Sequence, residues 1–163
     1  MFCKRLACGF VVSIFFIAAC ATEPDLYKRG ATIAIWDLED LSPSDVARPD
    51  LGELLSAGVI ETFKETDLYT VIERERLRLV LEELNLGTTS LVDETTRLKI
   101  GKLVGAQLMV FGGYQVIEDQ MRIDLRLVEV ETGRIRKAAQ KTVSAADLPG
   151  WLNAAKETAA QLF

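Results

Sequence analysis

The chain has 163 residues, and its 24 acidic residues outnumber its 19 basic residues to give a net charge of −5. This length suits one domain, and an acidic domain lacks the surplus of lysine and arginine that contacts with nucleic-acid phosphates need. Histidine is absent from the sequence, which removes His-assisted nucleophiles and His-ligated metal sites. Composition therefore argues against most familiar enzymes and against nucleic-acid binding. With no catalytic pattern elsewhere in the sequence, we expect a protein that is not an enzyme and uses no cofactor or small-molecule substrate.

The amino terminus has the pattern of an export signal. Lys4 and Arg5 precede an apolar run at residues 10–19, which is shorter than the roughly 20 residues of a membrane-spanning helix but fits the core of a signal peptide. The run ends in Ile17-Ala18-Ala19-Cys20, which resembles the bacterial lipobox. The resemblance implies cleavage before the cysteine and attachment of lipid, palmitate included, to its thiol. We therefore expect residues 1–19 to be a lipoprotein signal peptide.

The cysteine count agrees with lipidation. Cys3 and Cys8 would leave with the 19-residue signal, so that Cys20 is the only cysteine of a mature chain of 144 residues with net charge −7. Several acyl chains on one cysteine anchor a protein stably. Ala21, as the residue after the lipidated cysteine, predicts sorting to the periplasmic face of the outer membrane. Residues 20–30 are predicted to form a short tether between the lipid and the domain.

Residues 31–163 are predicted to form one domain that begins with a β-α-β unit. A strand at 32–38 is apolar on both alternating faces, as is typical of a central strand covered on both sides. A helix starts near Asp50 and is followed by a strand at 68–72. The apolar face predicted for this helix consists of Leu51, Leu54, Leu55, Val59 and Phe63.

Two further helices are predicted before the chain returns to the sheet. The first spans residues 73–86 and is stopped by Gly87, since glycine readily takes the left-handed conformation that closes a helix. The second spans residues 93–104 and ends before Gly105.

The remaining strands are predicted to form a meander. An apolar strand at 106–117 contains Gly112-Gly113, which predicts a bulge or a close contact with a helix. A glycine-containing turn at 131–134 leads into a polar edge strand at 135–145. Between them, apolar and charged side chains alternate as in a strand with one buried face, namely Met121, Ile123, Leu125 and Leu127 against Arg122, Asp124 and Arg126.

A break at Pro149-Gly150 is predicted to precede a final helix at 151–163. The complete order is β-α-β-α-α-β-β-β-α. This order predicts an α/β (α+β) fold, with a mixed sheet of about five strands and helices packed on it.

Four segments, in the same order along the chain, resemble the CsgG family, which is the curli secretion component and its relatives. Residues 71–77 (VIERERL) are similar to the family's VVER-x-x-L segment, and residues 81–114 contain its EL-x-L, LVD-x-x-T and GKL-x-GA elements. Residues 33–40 match its opening strand, and residues 127–134 match its R-L-V-D-x-x-TG hairpin. The resemblance covers about residues 31–145 and implies a periplasmic lipoprotein domain.

The sequence departs from the curli member where that protein forms its channel. Membrane strands need about 9–11 residues with an apolar face toward lipid, whereas between Phe111 and Ala145 the turns are short and no inserted hairpin is present. The resemblance therefore implies the periplasmic domain without a pore, acting through protein–protein contacts in envelope assembly or secretion. Two alternatives from the same family are a lipoprotein regulator of a peptidoglycan synthase and a flagellar accessory lipoprotein.

Three carboxylates follow the first predicted strand. Asp37, Glu39 and Asp40 lie where α/β proteins often place ligands, and carboxylates suit Mg²⁺ or Ca²⁺. This pattern keeps a metal-binding or enzymatic module open as a second alternative, against the simpler interpretation of a solvated turn.

A further group of side chains is a candidate for contacts with another copy or with a different envelope protein. The group comprises Arg74, Arg76, Arg134, Arg136 and Trp151. Each has a simpler interpretation as well. The helix arginines can pair within the chain, the strand arginines can protect a sheet edge, and the tryptophan can pack on the sheet.

Overall fold

Four helices and six strands make up the described part of the chain, which is residues 29–43, 50–84, 93–144 and 147–163 of a computed structural model. The strands are β1 (Ala31–Ile35), β2 (Glu39–Asp40), β3 (Tyr69–Val71), β4 (Leu108–Ile117), β5 (Gln120–Glu129) and β6 (Ile135–Ser144). The helices are α1 (Leu51–Glu65), α2 (Arg74–Glu83), α3 (Glu94–Val104) and α4 (Leu148–Ala160). The predicted fold class and order are confirmed, and the two-residue β2 is added to the expected strands.

The sheet is mixed and has the strand order β3-β1-β4-β5-β6, with β2 beside β4. β1 pairs in parallel with both β3 and β4, while β4, β5 and β6 form an antiparallel meander. β1 is therefore internal, as its doubly apolar sequence predicts, and β6 lies at the sheet edge, as its polar sequence predicts.

Each face of the sheet has its own hydrophobic cluster. Ile33 and Ile35 of β1 pack with α1 and α4 on the first face, whereas Ala34 and the following Trp36 pack with α2 and α3 on the second. All four side chains are at most 2% exposed. Full burial of a side chain as large as isoleucine contributes about 1.5–3 kcal/mol, so β1 holds helices on both faces.

The second face is covered over only part of its area. Met121, Ile123 and Leu125 of β5 are fully buried on the first face, while Arg122 and Asp124 alternate with them and lie outside both clusters. The predicted alternation in this strand is confirmed. The outer half of the second face therefore presents polar side chains to solvent.

The boundaries of α3 follow from its caps. The carboxylate of Asp93 accepts a hydrogen bond from the Thr96 amide at 2.8 Å, and this bond lowers the pKa of the Asp93 carboxyl. At the other end Gly105 has φ of +81°, and its amide donates to the Lys102 carbonyl. The helix predicted at 93–104 is thus confirmed, with Asp93 as its N-cap and Gly105 as its C-cap.

Several local predictions need correction. Leu54 is 46% exposed, because α1 buries a narrower stripe than its apolar composition suggests. Pro149 and Gly150 do not break the chain but form the first turn of α4, where proline fits and the Asp147 carboxylate accepts from the Gly150 amide at 2.6 Å.

The glycine pair of β4 also behaves differently from the prediction of a bulge or a helix contact. Gly112 and Gly113 keep regular register with Leu125 and Asp124, and the register shift of the meander lies instead at Leu127/Val128. A β-carbon on Gly112 would come within 2.5 Å of the Asp124 carbonyl oxygen, so the close approach is to the neighbouring strand.

Some predicted features lie outside the described residues. These are the signal peptide, Cys20, most of the tether and Gly87.

Substitution of two glycines of α1 tests the packing of this helix, with Gly58 as the control for Gly52. A β-carbon at Gly52 would lie 2.2 Å from the Leu38 backbone oxygen, whereas one at Gly58 would meet nothing nearer than 3.5 Å. Gly52→Ala is expected to destabilise the fold by about 1–3 kcal/mol through overpacking. Gly58→Ala is expected to stabilise it by about 0.4–1 kcal/mol, because alanine restricts the unfolded chain. Urea denaturation of both variants measures the two effects, and equal shifts would contradict the packing of α1 on the 36–40 segment.

Candidate functional site

A guanidinium joins three elements at the carboxyl end of β1. Arg74 opens α2, and its Nε and Nη2 donate to the two oxygens of Asp37 at 3.0 and 2.8 Å. Its Nη1 donates to Glu53 of α1, and the Ser56 hydroxyl donates to Asp37 Oδ1 at 3.1 Å. We call Asp37, Glu53, Ser56 and Arg74 the junction cluster.

The electrostatics of the junction cluster stabilise its ionised form. Hydrogen bonds to Asp37 and Glu53 raise the pKa of Arg74 above its ordinary range. The hydrogen bond and positive charge of Arg74 lower the pKa of Glu53. Arg74, which was a candidate for contacts with a partner, therefore forms its ion pairs within the chain. These pairs connect the segment after β1 with α1 and α2.

Arg76, two residues along the same helix, is placed differently. Its side chain is exposed, and with the described residues it forms no ion pair. Of the two helix arginines predicted for contacts, Arg76 is the one that is available to a partner.

A second cation, which the sequence analysis did not single out, lies on the covered part of the second face. Arg97 of α3 is 9% exposed, pairs with Glu39, and holds its guanidinium carbon 5.5 Å from the centre of the Trp36 ring. Its spacing from Ile100 and Val104, which are three and seven residues further on, places it on the buried stripe of the helix. This spacing is the feature of the sequence that could have identified Arg97 as a buried residue.

The three carboxylates proposed as metal ligands do not converge. Asp37 binds Arg74, Glu39 binds Arg97, and Asp40 accepts from the Ser42 amide at 2.9 Å. Within the described residues, no group of three side chains could hold a metal ion. The second alternative of a shared metal site is therefore contradicted among the described residues, because each of the three carboxylates has a separate partner.

A groove of about 210 Å³ lies between α2 and the end of β1. Ile35, Trp36, Leu77 and Leu81 contribute its apolar lining, with the remaining lining from Asp37, Arg74, Glu75 and Arg78. Arg78 donates a hydrogen bond to Glu75 at 3.0 Å and also pairs with Glu82. Both carboxylates raise the pKa of Arg78, and the hydrogen bond from Arg78 lowers the pKa of Glu75. An apolar floor with ion-paired walls suits an apolar side chain of a partner better than it suits acid–base chemistry.

The basic residues predicted on the last strand lie at the sheet edge. Arg134 is in the turn before β6, with its Nε 3.6 Å from Glu129 Oε2, and Arg136 is the second residue of the strand. Lys141, further along β6, pairs with Glu157 of α4. The structure therefore separates Arg134 and Arg136 from Arg74 and Arg76 instead of bringing the four together.

Trp151 is not a surface anchor. It is 2% exposed and belongs to the cluster on the first face of the sheet. The interpretation as a partner contact is wrong, since the first turn of α4 directs this side chain inward, and the packing alternative is confirmed.

Comparison with known families agrees with this fold. The profile of the family described as "Curli production assembly/transport component CsgG" matches residues 28–116, which is more than half of the chain. The chain belongs to the CsgG family. Among curated proteins, none matches the chain.

Solved structures share the fold of this CsgG-family chain at low sequence identity. The C-terminal domain of LpoB from Salmonella enterica is 17% identical with a TM-score of 0.60, covering 74% of this chain and 87% of that one. Lipoprotein GNA1162 from Neisseria meningitidis is 12% identical with a TM-score of 0.60, covering 76% and 90%. A PelC dodecamer from Paraburkholderia phytofirmans is 11% identical with a TM-score of 0.50, covering 82% and 87%.

None of the helices in the part of the chain that the structure describes is long and apolar enough to cross a membrane.

The junction cluster predicts unequal effects for two neighbouring arginines. Arg74→Ala removes the cation from Asp37, whose side chain is 21% exposed, and is expected to cost about 1–3 kcal/mol of stability. Arg76→Ala, with no ion pair among the described residues, is expected to change stability by less than about 0.5 kcal/mol. Urea denaturation measures both effects. A loss of stability no larger for Arg74→Ala than for Arg76→Ala would contradict the stabilising role of the junction cluster.

Proposed function

We propose that this CsgG-family protein is a lipid-anchored component of the periplasmic face of the outer membrane, and that it acts through protein–protein contacts in envelope assembly or secretion. The observation that carries the proposal is the arrangement of the sequence. A lipobox ending at Cys20 precedes, within ten residues, a domain whose family match begins at residue 28. The protein performs no catalysis in this proposal.

The side-chain chemistry supports contact-based action over catalysis. The charged groups at the carboxyl end of β1 are engaged with one another, with Arg74 and Arg97 binding the carboxylates of Asp37 and Glu39. The groove beside them has an apolar floor. Such a surface offers shape and packing to a partner.

The proposal includes no pore made by this chain. β4 passes to β5 after Ile117, and β5 passes to β6 through residues 130–134, so that neither connection has room for a membrane-spanning hairpin. Arg122 and Asp124 on the open face of β5 would be costly against lipid.

Self-association is the form of contact that we rank first. The tether of about ten residues reaches at most about 35 Å, so the domain stays close to the membrane that anchors it. Copies confined to one surface meet at high effective concentration. The dodecamer formed by PelC, a protein of similar fold, supports this ranking.

The second candidate is a regulator of a peptidoglycan synthase or a flagellar accessory factor. The similarity in fold to the LpoB C-terminal domain keeps this candidate open. It ranks second because a short tether is a poor arm for reaching an enzyme at the inner membrane.

The lipid anchor makes a direct prediction. Cys20→Ser is expected to lose palmitate incorporation and to leave the outer-membrane fraction, because the thiolate that accepts the lipid is gone. Cys8→Ser is the matched control, since Cys8 lies in the removed signal, and it is expected to behave like the unaltered protein. A Cys20→Ser protein that stayed with the outer membrane at high salt would refute the anchor.

The native mass of the lipidated protein in mild detergent separates the two candidates. Light scattering, with the micelle contribution subtracted, is expected to give a mass of several protomers. A monomer or dimer would instead favour the regulator, and the next experiment would be capture of a cell-wall or flagellar partner.

A further inference from the structure

The fold gathers several strand and helix ends at the point where the tether enters the domain. The Gly30 amide donates to the Leu68 carbonyl at 2.8 Å, beside the start of β3. The amide of Gln107, just before β4, donates to the Thr32 carbonyl at 2.8 Å, and the Gln107 carbonyl accepts from the Val130 amide at 3.0 Å. We call this side of the domain, where β1, β3 and β4 begin, the tether end. The β5–β6 turn and the carboxyl end of α3 therefore also lie there.

Two large apolar side chains are exposed at the tether end. Leu103, in the last turn of α3, is 63% exposed, and Ile135, the first residue of β6, is 49% exposed. Gly133 in the intervening turn lies close to Leu98 of α3, so that α3 and the β5–β6 turn form one continuous surface.

Five basic residues lie next to these two apolar side chains along the chain, namely Lys99, Lys102, Arg134, Arg136 and Lys137. Ile135 pairs with Val128 of the second face and Lys137 with Leu127 of the first, so these basic residues lie on both faces of the sheet at this end. Lys102 lies 3.4 Å from Glu131, and Arg134 lies 3.6 Å from Glu129. The five basic residues outnumber these two acidic residues at the corner between α3 and β6. The acidic Glu65 and Asp67 of this end lie away from the corner, beside β3. We call Lys102, Leu103, Arg134, Ile135, Arg136 and Lys137 the basic corner.

The opposite end of the sheet has the reverse character. We call it the far end, where β4 finishes and β5 begins. Glu118 and Asp119 form the β4–β5 turn, and Asp147 precedes α4 nearby. Ile117 is 51% exposed there; it pairs with Gln120 and is followed in the chain by Glu118 and Asp119. An anionic surface would attract the basic corner and repel the far end.

We propose that the basic corner rests on the anionic headgroups of the membrane that holds the lipid anchor, with Leu103 and Ile135 dipping into the headgroup layer. This inference depends on the lipid anchor of the proposed function. Arg29 lies nine positions after Cys20, a span of at most about 32 Å. β6 lies three strand spacings from β1, which is about 14 Å, so the tether allows the contact. Tethering supplies the effective concentration that makes a weak contact persist, and the far end then faces the periplasm.

The orientation can be measured with one fluorophore at a time, because the mature chain has no cysteine besides the lipidated Cys20. Ile135→Cys and Ile117→Cys are a matched pair, since the same residue type is 49% and 51% exposed at opposite ends of the sheet. Each full-length lipidated variant carries an environment-sensitive dye and is reconstituted into phosphatidylethanolamine–phosphatidylglycerol vesicles. A quencher attached to the lipid is expected to quench the dye at position 135 about two- to threefold more than at position 117. Leu103→Cys is expected to follow position 135.

Charge reversal tests the basic corner itself. Arg136→Glu combined with Lys137→Glu is expected to reduce quenching at position 103 about twofold or more. Arg76→Glu, a charge reversal at an exposed position of α2, is expected to leave quenching at position 103 unchanged. Flotation with the vesicles is recorded for every variant, so that loss of the anchor is distinguished from loss of orientation.

The outcomes that overturn the inference are distinct. Protein that floats with vesicles while positions 135 and 117 are quenched equally, or 117 more, refutes the orientation and leaves the lipid anchor intact. Position 135 could instead stay protected from a water-soluble quencher even in detergent, and show no quenching by the lipid-attached quencher in vesicles. This result would assign the basic corner to a protein contact and refute the membrane contact. Protein that does not float refutes the lipid anchor and the inference together.

Discussion

The burial of β1 on both faces is the constraint on which the rest of the structure depends. Because Ile33 and Ile35 point one way while Ala34 and Trp36 point the other, each face must be covered by helices. The parallel pairing of β1 with β3 and β4 follows, since each parallel neighbour needs a crossover, and the crossovers supply α1, α2 and α3. The meander and α4 then complete the two layers.

The charges at the end of this strand serve the same constraint. Asp37 ends the apolar segment, and Arg74 fastens it to the start of α2, while Arg97 packs over Trp36 and binds Glu39. These charged residues, which resemble part of a catalytic or metal site in the sequence, thus hold the layers together. What remains for a partner or a membrane is the groove beside α2, the open face of β5, and the two ends of the sheet.

Much of the local structure was predictable because its causes are local. The span of α3 follows from Asp93 as an N-cap and Gly105 as a left-handed C-cap, and the alternation from Met121 to Leu127 follows from the two-residue period of a strand. The short β2 was not predicted, because it is created by pairing with Gly113 and Tyr114, residues more than 70 positions away. Its two acidic residues have low strand propensity of their own.

The sequence by itself determined the family, the order of the elements and the edge position of β6, because each depends on residue types at short spacing. Only the tertiary structure decided which charges are used internally. It paired Arg74 with Asp37 while leaving Arg76 exposed, buried Trp151, and placed Leu103 and Ile135 at the end of the sheet where β1 begins. These outcomes depend on distances between residues far apart in the chain, and such distances exist only once the sheet has formed.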